Sequence, residues 1–252
     1  MMRDVMTGSA VFMVQVLGQP SLRDVHGALR PLERKAAALL AYLAIEGHTP
    51  RGRLTSLLWP ETREDAARNN LVHLLRKLAS LAGVPLVEGR ETLALHPEVR
   101  VDVQSLFLAG EAASGVPLPV ARASLLATHD FDDCPELEEW LCAERERLEE
   151  WWLLILRERA TLLEAQEAHE AALGVVLRLL DLDPLSEDAH RRLMRLHTRM
   201  GNRHRALRAY ERLCALLRRE FGAEPLPETV TLAQSLYRPL TLASASSSLI
   251  SA

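Results

Sequence analysis

Arginine, lysine, asparagine and histidine recur on one side of a single stretch of this chain. On a wheel of 3.6 residues per turn, residues 62–81 gather Ala67, Leu71, Leu74, Leu75 and Leu78 on one face and Asp65, Asn69, Val72, His73 and Arg76 on the other. The outward side carries Arg68, Asn69, His73, Arg76 and Lys77. Cations of this kind pair with phosphates, and amide and imidazole groups meet base edges, so the chemistry on offer is recognition of a DNA duplex. Thr62 with Asp65 three residues later predicts a side-chain cap at the helix start, and Gly83 predicts its stop. A solvated face stabilised by its own charges reads the same way in isolation, so the flanking elements decide.

Those elements read as a mount. Residues 11–17 (VFMVQVL) are a short β-rich run closed by Gly18 and Pro20, and residues 22–32 hold further extended pieces around Gly27, which predicts a small antiparallel sheet. Residues 33–46 predict a helix that buries Ala36, Leu39, Leu40 and Leu43 and ends at Gly47. Thr49 and Pro50 open a second helix carrying Leu54, Leu57 and Leu58, with Trp59 as a core plug before Pro60. Residues 86–95 alternate around Gly89 as a hairpin. Three helices with a turn between the second and third, followed by a hairpin, make a winged helix-turn-helix.

Composition bounds what such a mount belongs to. At 252 residues, 48% apolar and 25% charged, the chain has room for two domains with real cores and is neither disordered nor fibrous. Net charge is -4, yet residues 1–100 hold 13 Lys+Arg against 10 Asp+Glu while the remainder holds 17 against 24. The basic excess therefore lies with the amphipathic helix. Cys134, Cys142 and Cys214 form no CxxC pair, which argues against a disulfide framework or a zinc site and for a reducing compartment. With no apolar run of about 20 residues and no signal-peptide core in MMRDVMTGSA, a cytoplasmic protein is expected.

Catalytic signatures do not occur: there is no HExxH, GxxxxGK[ST], GxSxG or dinucleotide fingerprint, so no enzyme and no cofactor is expected. His129, Asp130, Asp132, Asp133 and Cys134 are metal-ligand types in one run, but their spacing fits no known site, and Asp133 ahead of Pro135 suits a helix cap. Cys142 reads as a core thiol. Residues 101–114 and 119–128 read as short helices separated by a loop at Gly115 and Pro117, and residues 136–164 as a long helix with Trp140, Trp151 and Trp152. Helices over 171–181, 186–200, 203–220 and 227–237 follow, with small or aromatic residues at Gly201, Ala206 and Tyr210, as in a tetratricopeptide (TPR) hairpin. Stacked pairs of that kind bind protein on a concave side.

The runs RKAAALLAYLAIEG, PRGRLTSLLWPE and AARNNLVHLLRKLASLAG resemble the DNA-binding domain of Streptomyces antibiotic regulatory protein (SARP) transcriptional activators. FDDCPELEEWLCAERERL and ALRAYERLCALLRREFGAEP are similar to that family's bacterial transcriptional activator domain, so the resemblance covers roughly residues 12–238 in matching order. The resemblance implies a mainly α protein: a response-regulator-like winged helix-turn-helix (α+β) over 11–100, then an all-α, TPR-like activator domain over 101–240. Residues 1–10 and 241–252 are expected to be disordered ends. It further implies that Arg68, Asn69, His73, Arg76 and Lys77 face double-stranded DNA, with Arg51 and Arg53 near phosphates and Arg90 on the wing. Val72 departs from the polar or basic residue common in relatives, and its side chain suits a thymine methyl instead. Also implied are an RNA polymerase contact at the turn 60–64 (Pro60, Glu61, Thr62, Arg63, Glu64) and a promoter of direct repeats where a homodimer assembles. The expected function is thus a promoter-binding activator acting at the nucleoid, without a membrane. The competing reading is a TPR-type interaction scaffold whose winged domain binds protein.

Overall fold

Alternation in the first strand sets the inner face of a small sheet. In the computed structural model, which describes residues 12–23, 27–104 and 124–237, β1 (Phe12–Gln15) buries Phe12 and Val14 and exposes Met13 and Gln15. It pairs antiparallel with β2 (Ser21–Arg23), placing Val14 opposite Leu22, and β2 pairs antiparallel with β3 (Leu29–Pro31). The other edge of β1 corrects the expectation of a purely antiparallel sheet. There β7 (Val99–Val101), beyond the wing, pairs parallel with β1 in the order β3-β2-β1-β7. The Asp102 carboxylate fixes this junction by accepting from the backbone N–H of Val16 at 2.9 Å and Leu17 at 3.1 Å. Burial raises its pKa, and the hydrogen bonds from Val16, Leu17 and Val103 pull the other way.

Against this sheet lies α1 (Arg34–Glu46), buried without interruption from Ala36 to Leu43 and closed by Gly47, whose φ of 73° suits glycine. Each of Leu39, Leu40 and Leu43 contributes about 1.5–3 kcal/mol by leaving water. Thr49 and Pro50 do not open the second helix as expected. They form a two-residue strand, β4 (Thr49–Pro50), and α2 (Arg51–Leu58) starts after it; Pro50 lacks the N–H that an interior strand residue would donate. The wing consists of β5 (Val87–Glu88) and β6 (Thr92–Leu95), and β4 adds a third strand in the order β4-β6-β5. Trp59 is half-buried at the core's margin, with the Lys35 ammonium 5.3 Å from its ring centroid, and so is less enclosed than a plug.

Two compact units divide the chain at Trp152/Leu153. The first therefore takes in residues 124–152 as well as the winged helix. Residues 124–128 are not the end of a helix: Leu125 bridges Leu17 and a turn follows. Residues 105–123, and with them most of the two expected short helices, lie outside the described residues, as do residues 1–10 and 241–252. Phe131 and Cys134 are fully buried, and the Cys134 thiol donates to the Leu58 carbonyl at 3.3 Å. The Asp133 carboxylate does not serve as a helix cap. It accepts from the Arg34 guanidinium at 2.7 Å, which with Lys35 holds its pKa down to about 2. Helix α4 (Pro135–Ala165) then presents Trp140, whose ring lies tilted by 47° against Tyr42 with centroids 4.8 Å apart and whose N–H donates to Glu46 at 2.7 Å. Cys142, expected in the core, is exposed; one position earlier Leu141 faces inward instead.

The second unit contains the end of α4 and four more helices: α5 (His169–Leu182), α6 (Glu187–Arg199), α7 (Arg203–Phe221) and α8 (Pro227–Tyr237). From α6 onward each packs on its predecessor, and α6 also meets α8. Gly201 turns the chain between α6 and α7 at a φ of 75°, and Ala206 is fully buried where the two helices meet. The Glu187 carboxylate ties α6 to the start of α8, accepting from the Leu226 N–H at 2.9 Å and the Thr229 hydroxyl at 2.6 Å. His190 is 2% exposed; its Nε2 lies 3.0 Å from the Pro184 carbonyl oxygen, while its Nδ1 has no partner among the described residues. Burial lowers its pKa from the ordinary 6.5, and Arg212 adds to the effect. The unfolded chain thus accepts a proton that the folded imidazole refuses, so this stability is present above about pH 6.5 and declines as pH falls below it. Denaturant unfolding near pH 7.5 and near pH 5.5 is expected to show that decline. A decline of equal size in His190→Gln would assign it to another group.

Candidate nucleic-acid interface

The third helix owes its orientation to one apolar stripe. Along α3 (Glu64–Ala82), Ala67, Leu71, Leu74 and Leu78 are buried in the unit whose core α1 and α2 also form, and Leu75 is half-buried. The stripe leaves Arg68, Asn69, His73, Arg76 and Lys77 exposed together on the outer side, with Val72 half-buried among them. Gly83 closes the helix in the left-handed conformation, as the sequence predicts. The start differs: Arg63 occupies the N-cap position with no side-chain hydrogen bond, and the Thr62 N–H donates instead to the Trp59 carbonyl at 3.1 Å. Glu64 and Asp65 supply the negative charge that the first turn favours.

Not all of the cations stand alone. Arg68 pairs with Glu64 one turn back, and Lys77 pairs with Glu33 at the start of α1. At 64% and 63% side-chain exposure these pairs sit in high dielectric, where such contacts are worth about 0.2–1 kcal/mol, and a phosphate can displace the carboxylate. The side chains of Asn69, His73 and Arg76 have no hydrogen-bond or ionic partner among the described residues. Beside them, Glu33, Lys35, Trp59, Asn70, His73 and Lys77 line an open groove between α1 and α3.

The remaining residues expected at the duplex fall into two groups. Arg90 is exposed at the tip of the wing, between β5 and β6. Arg51 is engaged there rather than free: its backbone N–H donates to the Glu91 carbonyl at 3.0 Å and its Nε donates to the Arg90 carbonyl, which fastens the start of α2 to the wing. Arg53 pairs with Glu136 of α4, and donating to that carboxylate, followed by donating to the Tyr42 hydroxyl oxygen, raises its pKa. Arg51 thus ties α2 to the wing, and Arg53 ties it to α4. Arg63, read from the sequence only within the turn 60–64, is exposed immediately ahead of α3; its carbonyl accepts from the Ala67 N–H at 2.9 Å, and its guanidinium has no hydrogen-bond or ionic partner among the described residues. Its position before a helix start, next to Glu64 and Asp65, was the signal available. Among the described residues no three His, Cys, Asp or Glu side chains are grouped to hold a metal ion.

Residues 122–237 match the family model described as the bacterial transcriptional activator domain. The chain is similar in structure to Mycobacterium tuberculosis EmbR, solved in complex with a low affinity phosphopeptide, at 20% identity and a TM-score of 0.62. The likeness covers 89% of this chain and 64% of that one, so the chain spans less than two thirds of the EmbR chain, and at this identity what is shared is the fold. Comparison with curated proteins gives no match. The activator domain and the fold, a winged helix followed by an all-α domain, support a SARP-type transcriptional activator, the family that the sequence resembles. The activator domain starts well ahead of the division at Trp152, so its first part is packed into the winged-helix unit. No helix among the described residues is long and apolar enough to cross a membrane.

Proposed function

We propose that this SARP-type regulator activates transcription by binding double-stranded promoter DNA through α3. The observation that carries this reading is the division of that helix: four buried residues hold it in place while Arg68, Asn69, His73, Arg76 and Lys77 face outward together. In this reading Asn69 and His73, nearer the helix start, meet base edges in the major groove; Arg76, Lys77 and Arg63 hold phosphates, and Arg90 touches the backbone beside the wing. The turn 60–64 meets RNA polymerase, residues 11–100 read the DNA and residues 101–240 support the assembly. A second copy on a direct repeat adds affinity through effective concentration, and the setting is the nucleoid in the cytoplasm.

A salt titration of duplex binding tests the reading. Affinity is expected to fall steeply between about 50 and about 200 mM salt, with Arg76→Ala lowering the log–log slope by about 0.9, the share of one phosphate. Lys77→Ala is expected to have a smaller effect, because its ammonium must first leave Glu33. An affinity indifferent to salt and to Arg76 would favour the scaffold, in which the winged domain binds protein. Selection of bound sequences from a random oligonucleotide pool then gives the operator and the repeat spacing.

A further inference from the structure

The activator half is acidic as a whole, yet α6 and α7 reverse its sign. Residues 187–221 hold ten arginines against four Asp+Glu. Arg191, Arg192, Arg218 and Arg219 are held by carboxylates of the same unit. Five others, Arg195 and Arg199 on α6 and Arg205, Arg208 and Arg212 on α7, are exposed, and their guanidinium groups have no hydrogen-bond or ionic partner among the described residues. Spacings of four on α6, and of three and four on α7, stack each set along one side of its helix. The helices pack against each other through Ala206, Ala209 and Leu213, and Arg205 and Arg212 lie near enough to His197 and His190 to lower their pKa values. The result is one cationic ridge along a helical hairpin.

What the ridge lacks selects its partner. Among the described residues, the large exposed apolar side chains are Met13, Leu29, Val84, Leu154, Leu177, Phe221, Leu226 and Tyr237, and none falls between Arg195 and Arg212. Protein interfaces carry an apolar or aromatic core inside a polar rim, whereas surfaces that meet DNA are polar and strongly positive throughout. Arginine's planar fork matches a phosphate with two parallel hydrogen bonds. We infer that the α6–α7 ridge is a second DNA-binding surface, one that grips the phosphate backbone of a duplex without reading its sequence. This rests on the reading of α3 as the sequence reader and adds a division of labour: selectivity from the winged helix, grip from the activator domain.

The test uses the full chain and a random-sequence duplex of about 30 base pairs, roughly three helical turns. Replacing Arg205, Arg208 and Arg212 together by Ala is expected to lower the log–log salt slope by about 2 to 3, at close to 0.9 per phosphate released. Replacing the same three by Lys preserves charge and is expected to keep the slope, which separates lost grip from lost folding. Preference for a selected duplex over a scrambled one stays at the wild-type level in both variants, because the ridge reads no bases. A wild-type slope in the triple Ala variant would overturn the inference while leaving α3 standing, provided that Arg76→Ala still lowers the slope. A wild-type protein without salt-dependent duplex affinity would remove both readings. Loss of self-association by sedimentation with the DNA slope unchanged would also overturn it, assigning the ridge to the exposed glutamates at 139, 146 and 150 of a second copy.

Discussion

Phe131→Ala is expected to destabilise the winged-helix unit by about 3–5 kcal/mol, although the residue lies in the activator domain. Phe131 is fully buried, with the Arg34 guanidinium 5.3 Å from its ring centroid and the His129 ring edge-on at 6.4 Å. Truncation leaves a cavity against α1 and loosens the backbone whose Asp130 carbonyl accepts from Arg34 at 2.7 Å. A loss of that size is a large part of the about 5–15 kcal/mol that a domain has in total. All four tryptophans, Trp59, Trp140, Trp151 and Trp152, belong to this unit, so tryptophan fluorescence follows its unfolding while far-ultraviolet circular dichroism follows both units. The fluorescence midpoint should move to much lower denaturant. An unchanged midpoint would mean that the segment around Phe131 is dispensable to the core.

Gly89→Ala is expected to open the wing. At a φ of 107° an L side chain is strained, and a Cβ there would lie 1.9 Å from the Thr92 carbonyl oxygen, which is backbone that cannot swing aside. The cost therefore exceeds the about 1–3 kcal/mol of one strained residue, and the turn must re-form elsewhere. Since the pairing of Val87 with Leu95 and of Glu88 with Ala94 depends on that turn, amide exchange should quicken on β5 and β6 and stay slow in the middle of α3. If α3 reads DNA, the variant also loses the backbone contact at Arg90 while keeping its base preference. Wild-type protection on both wing strands would refute the steric argument.

How much was legible follows from the range of the interactions. The division of α3 into two faces is periodicity within one helix, so Leu71, Leu74 and Leu78 placed Arg76 and His73 correctly before any tertiary contact was known. Gly83 and Gly89 were equally legible, because each is local backbone chemistry. The helix start was not: Thr62 and Asp65 have the types and spacing of a cap, but the chain enters through Arg63, and the Thr62 N–H turns back to Trp59. Arg53 and Lys77 read as free cations because their carboxylates lie 83 and 44 residues away in sequence. The parallel pairing of β1 with β7 joins strands across the whole winged helix, and no local pattern announces it. Cys142 and Leu141 are neighbours on α4, so the side of the helix that packs had to be known before the core thiol could be told from the exposed one.

The overlap between the winged-helix unit and the start of the activator domain restricts how such a protein can be reassembled from parts. A crossover at residue 122 that brought in a foreign C-terminal half would also replace Phe131, Cys134 and Trp140, side chains that complete the hydrophobic interior beneath the winged helix. The two halves are thus compelled to be inherited together. New combinations survive when the exchange falls within the long helix, past the residues that the winged-helix unit has borrowed.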